Sequence, residues 1–133
     1  MLFSDIGSNI KIVRVIAPHS NSGTSTNGPA IDRVGYASAV LYVDVGAVSG
    51  SPTSFTVDCK IQESSDGSTW ADVSGASIET ISAANTQKEL NIDLRGLKRY
   101  IRAVATVSFT GGSTPSVLVC ASLVLGGASE YPI

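Results

Sequence analysis

Hydrophobic residues recur at every second position along most of this chain, and Gly, Pro, Asn and Asp interrupt the alternation. The clearest run sets Phe55, Val57, Cys59 and Ile61 against Thr56, Asp58, Lys60 and Gln62, which predicts an antiparallel strand with one wet face. The same period predicts a first strand over residues 10–16, with Ile10, Ile12 and Ile16 on one side. A second strand runs through YASAVLYVDVG, with Leu41, Val43 and Val45 on one face and Tyr42 and Asp44 on the other. Short pieces follow over residues 69–73 and 77–81, then a strand carrying Leu90, Ile92 and Leu94.

The last two strands are longer. In RYIRAVATVSF one face holds Ile101, Ala103, Ala105, Val107 and Phe109. In SVLVCASLVLGG both faces are apolar, with Val117, Val119, Ala121, Leu123 and Leu125 on one and Leu118, Cys120 and Val124 on the other. A strand apolar on both faces sits centrally and is covered twice, by this chain or by another subunit. The GGSTP between these two strands reads as a hairpin loop. Residues 18–30, PHSNSGTSTNGPA, cannot bury a face of their own and read as a long exposed loop. About eight strands, no helical period and closely spaced turns predict an all-β antiparallel β-sandwich. Eight strands in two sheets suit a jelly roll, with an immunoglobulin-like order as the alternative.

At 133 residues the chain holds one core, so a single domain spans 1–133, with 1–9 and 126–133 as candidate extended arms. Charged residues are 15% and hydrophobic ones 43%, and mean hydropathy is +0.23, which points to apolar surface at protein–protein contacts. A net charge of -2 argues against a nucleic-acid partner. No apolar run is long enough to span a membrane, and the start lacks the layout of an export signal. Cys59 and Cys120 fit no zinc spacing; both sit in apolar strand patterns and read as buried free thiols, with a bridge left open. His19, the one histidine, lies in the polar run and reads as solvated. No paired carboxylates, calcium loop or phosphate-cradling glycines appear, so no catalytic, metal or cofactor residues are assigned and an enzyme is not expected.

Two segments stand out. In QESSDGSTWADV, Asp66-Gly67 reads as a hairpin turn, and Trp70 after it reads as a core anchor. In LRGLKRYIRA, Arg95, Lys98, Arg99 and Arg102 form a basic cluster, either solvated or docking an acidic partner. The string S-x-D-G-x-x-W with the later RYIRA resembles discoidin-type galactose-binding sandwich modules. That resemblance implies framework roles for Ser65, Asp66, Gly67, Trp70, Arg99, Tyr100 and Arg102.

The segments IDRVGYASAVLYVDVGA, VDCKIQESSDGSTWADVSGA, NIDLRGLKRYIRAVATVSFTGGSTP and LGGASEYPI resemble small structural proteins encoded beside the major capsid protein of tailed bacteriophages. The resemblance implies a head decoration (cement) protein. Such a protein is made in the host cytoplasm, bound to the major capsid protein on the outer surface of the virion, and assembled as a dimer or trimer. Residues 1–16 and 126–133 are then expected to touch neighbouring subunits. The candidate interface residues are Ile10, Ile12, Arg95, Lys98, Arg99, Arg102, Leu118, Val124, Tyr131 and Ile133. The alternatives are a carbohydrate-binding module for host attachment and a neck or tail component.

Overall fold

In the computed structural model, which describes residues 5–128, nine strands form two packed antiparallel sheets. The strands are β1 (Lys11–Asn21), β2 (Ser25–Asn27), β3 (Ile31–Asp32), β4 (Ser38–Ser49), β5 (Ser54–Ser64), β6 (Ala71–Ser77), β7 (Thr86–Asp93), β8 (Tyr100–Thr110) and β9 (Ser116–Gly126). A single 3-10 turn at Ile6–Ser8 precedes them. Sheet A has the order β1-β9-β4-β7; sheet B has β2-β8-β5-β6, with β3 also on β8. The first strand pairs with the last, the second with the eighth and the fourth with the seventh, which is a rolled-up antiparallel ribbon: the jelly roll.

The core lies between the inner faces, where alternation delivers one aliphatic side chain every second residue. Leu41, Val43 and Val45 of β4 meet Val57, Cys59 and Ile61 of β5, all fully buried. Ile101, Ala103, Ala105 and Val107 of β8 and Val117, Val119, Ala121, Leu123 and Leu125 of β9 complete it. The strands over residues 36–46 and 54–64 and the last two strands run with the faces the periodicity predicts.

Four expectations change. In β1 the inward face belongs to Val13 and Val15, while Ile12 points out and is 67% exposed. The register shift between Arg14 and Ile16 is a bulge that buries Val15 and Ile16 together, so period two fails across it. Residues 18–30 are not a long loop: β1 continues to Asn21, and β2 pairs with β8. Pro18 is tolerated because β1 is an edge strand. Asn21 is buried and closes the turn, its Oδ1 accepting from the amides of Gly23 (2.9 Å) and Thr24 (2.8 Å). GGSTP is not a hairpin, since β8 and β9 belong to different sheets. It arches across the end of the sandwich beside the β4–β5 crossing, and the Ser113 amide donates to Gly50 O at 2.9 Å. Gly50 and Gly112 have φ of 84° and 86°, and a Cβ on either would strike the other crossing. Finally, the pieces at 69–73 and 77–81 are one strand, β6, plus a single bridge from Ile81 to Val57. Gly126, placed by sequence in a C-terminal arm, belongs to β9, and residues 129–133 lie outside the described residues.

Candidate functional site

The hairpin between β5 and β6 is built by its own polar side chains. Ser64, fully buried at the end of β5, accepts from the amides of Asp66 (3.2 Å) and Gly67 (2.9 Å) and donates to Asp66 Oδ1 (2.8 Å). That oxygen also accepts from the amides of Ser68 (2.8 Å) and Thr69 (3.0 Å). These bonds, that from Thr69 foremost, hold the Asp66 carboxyl down at about 2, and Gly67 supplies φ of 76°. The stretch is a turn, as expected. Of Ser64, Ser65 and Ser68, the serines the sequence offers to satisfy loose backbone groups of this turn, Ser64 is the one whose hydroxyl accepts from amides there.

Trp70 is not a core anchor. It is half-buried on the outer face of sheet B, where the Arg102 guanidinium lies 4.5 Å from its ring centroid. Arg102 Nε donates to Gln62 Oε1 (2.9 Å), Gln62 Nε2 to Asp72 Oδ1 (2.8 Å), and Lys60 Nζ reaches Asp72 Oδ2 (3.0 Å). The inner face is filled by aliphatics from both sheets together with Phe55. Of the residues matching a galactose-binding framework, Trp70 and Arg102 thus meet in an outer tile across β8, β5 and β6, with one indole face taken by Arg102.

Two of the four cations of the basic cluster are neutralised locally. Arg95 makes a two-pronged pair with Asp93, both contacts at 3.0 Å, and Arg99 Nη2 meets Asp32 Oδ2 at 2.9 Å. The hydrogen bond from Arg99 is the main reason that the Asp32 carboxyl is held below its ordinary value. Arg33, which sequence reasoning passed over, ties β3 to the β7–β8 turn by donating to the carbonyls of Leu97 and Lys98. Lys98 and Arg102 have no ion-pair partner among the described residues. The four cations therefore do not converge on a basic patch: three are spent on Asp93, Asp32 and Trp70.

His19 is held rather than free in solvent. Its Nδ1 lies 2.9 Å from Ala17 O, which can only accept, so Nδ1 carries the proton. Nε2 then faces Asn21 Nδ2 (3.3 Å) and Thr26 Oγ1 (3.4 Å) as acceptor. No group of three His, Cys, Asp or Glu side chains placed to hold a metal occurs among the described residues. The cysteines are free and lie on different sheets. Burial pushes the Cys59 thiol up to about 12. Cys120 is only half-buried, on the outer face of sheet A beside Asp44, where burial and that carboxylate raise its value.

Three of the candidate interface residues come together on that outer face. Ile12 pairs with Val124, and Val124 with Val40, in one row across β1, β9 and β4. Leu118, 49% exposed, stands further along β9 over Gly46. A shallow groove of about 270 Å³ runs beside it, lined by Pro18, His19, Asp44, Gly46, Leu118 and Cys120. Ile10 is half-buried near Gly126, and Tyr131 and Ile133 lie outside the described residues. β9 is central, as its two apolar faces predict, yet its outer side is covered by no part of the described chain.

Among the described residues no helix is long and apolar enough to cross a membrane. No protein-family model matches the chain, and no curated sequence does. Solved structures do match. The PBSX exported protein XepA superposes with a TM-score of 0.60 at 15% identity, over 93% of this chain and 38% of that one. The infectious bursal disease virus VP2 subviral particle gives 0.55 at 13%, over 92% of this chain and 34% of that one. The SPBc2 prophage-derived protein YomS matches over 88% of this chain and 95% of its own, at 18% identity and a TM-score of 0.48. The chain thus spans little more than a third of XepA and VP2. What it shares with them is the sandwich fold, found in prophage-encoded and viral-particle proteins alike.

Proposed function

We propose that this chain is a structural protein of a bacteriophage particle. It binds the outer surface of the capsid and stabilises the lattice, with the major capsid protein and further copies of itself as partners. The observation that carries the reading is the outer face of β9, where Leu118, Cys120 and Val124 turn outward from a strand whose inner side is already buried. An apolar surface in the middle of a sheet calls for a macromolecular partner. The fold likeness to prophage and viral-particle proteins supports the setting, and the resemblance of segments such as NIDLRGLKRYIRAVATVSFTGGSTP to phage head proteins supports the place. A lattice multiplies modest contacts, since several made together retain a small protein far more firmly than one.

The test is co-sedimentation of the purified chain with phage heads that lack it, followed by heating or osmotic shock of the loaded heads. Saturable binding and a raised disruption threshold are expected. Saturable binding to host polysaccharide without binding to heads would replace this reading with glycan attachment. Localisation at the neck or tail by electron microscopy of intact particles would move the protein off the capsid.

A further inference from the structure

We infer that the outer face of sheet A is the twofold interface between two copies of this chain. The strand registers lay that face out as a grid. One row runs Ile12–Val124–Val40–Asn91 from edge to edge, the next Arg14–Ser122–Tyr42–Glu89, and a third holds Cys120–Asp44–Gln87. The apolar positions lie on β1, β9 and β4. The charges separate: Arg14 stands on the β1 edge, while Asp44 and Glu89 stand on the β4–β7 half. None of the three has an ion-pair partner among the described residues.

Two sheets packed face to face about a dyad parallel to the strands, passing between β9 and β4, bring every residue opposite its row-mate. β1 of one copy then faces β7 of the other, and β9 faces β4. Val124 meets the second copy's Val40, and Leu118 meets the second copy's Gly46, over which that copy's own Leu118 leans, so the two leucines face each other near the dyad. Arg14 meets the second copy's Glu89, with Asp44 one row on, twice by symmetry. The dyad turned across the strands lays β7 on β7 and leaves Arg14 opposite no carboxylate, so charge complementarity selects the first arrangement.

The area suffices. Four strands about 4.8 Å apart, each about ten residues long at about 3.4 Å per residue, present roughly 650 Å². Stable interfaces take about 600–1,000 Å² from each partner. Facing sheets pack about 10 Å apart, within reach of an Arg–Glu pair across the gap.

The inference deepens the proposed function by naming the self-contact, yet its test needs no capsid. Sedimentation velocity of the full chain, up to about 100 µM, is expected to show a dimer. Leu118→Asp, Arg14→Glu and Glu89→Arg are each expected to weaken it by roughly tenfold or more, while Arg14→Glu combined with Glu89→Arg regains most of the loss. Far-ultraviolet spectra and melting check that each variant is folded; if Leu118→Asp is not, Ile12→Lys on the same face takes its place. A wild-type monomer at the highest concentration, an unweakened Leu118→Asp dimer, or a double variant no tighter than either single overturns the interface. A monomer that binds heads through Leu118 assigns the face to the capsid and overturns the dimer alone. A dimer that ignores heads leaves the interface standing and sinks only the capsid reading.

Discussion

Gly28 is the position at which a single methyl group should do most harm. It sits where the chain leaves β2 and passes between the two sheets, its amide donating to Ala103 O of β8 at 2.8 Å. A Cβ built there would lie 2.3 Å from Val15 O of β1 and 3.2 Å from Ala103 O. The first distance is more than about 1 Å inside ordinary van der Waals separation, and both obstacles are backbone, which no rotamer change relieves. Overpacking of this kind costs about 1–3 kcal/mol. Unfolding entropy of about 2.1 cal/mol/K per residue over 133 residues makes each kcal/mol worth about 3.6 °C, so Gly28→Ala should lower Tm by roughly 4–11 °C. Thermal melts followed by circular dichroism measure this. Gly7→Ala, where a Cβ meets nothing within 4 Å, is the control and should stay within about 0.5 kcal/mol of wild type. A Gly28→Ala protein as stable as that control would show that β1 and β8 do not pinch the chain here.

Other outcomes follow from the same geometry. Asp66 has its carboxyl depressed to about 2 in the fold, below its unfolded value, so its contribution is full above the unfolded value and fades as pH falls towards about 2. Melting between about pH 5 and pH 2 should therefore fall less steeply in Asp66→Asn than in wild type, and equal slopes would contradict the turn chemistry. Arg102→Ala should uncover one face of the single Trp, shift its fluorescence to the red and cost about 0.5–1 kcal/mol, as a stacked cation near the surface does. In protein dilute enough to be monomeric, one thiol, Cys120, should react with a thiol reagent, and Cys59 should react only on unfolding; two equally fast thiols would place Cys59 outside the core.

Much of this molecule could be read without coordinates wherever burial is one-sided and regular. Phe55 to Ile61 and Ile101 to Val107 announce their inner faces because every second side chain meets the opposite sheet. Asp66-Gly67 announces its turn because the turn is closed by atoms within five residues. Both are local facts, and local facts survive in a one-dimensional string.

The tertiary structure decided the rest. The bulges of β1 break the period and hide which of Ile12 and Val13 faces inward. Strand order was illegible because every sheet contact but β5–β6 joins strands that are not consecutive along the chain. GGSTP therefore looks like a hairpin and is an arch. Whether Arg95 and Arg99 are free cations depends on Asp93 and Asp32, and the second pair spans 67 residues of sequence. Trp70 has the composition of a core residue, and only the packing shows it outside, against Arg102. Periodicity reports how a residue relates to the plane of its own strand. Which strand lies next to it, and what covers the far face, are properties of chain closure that no short window contains.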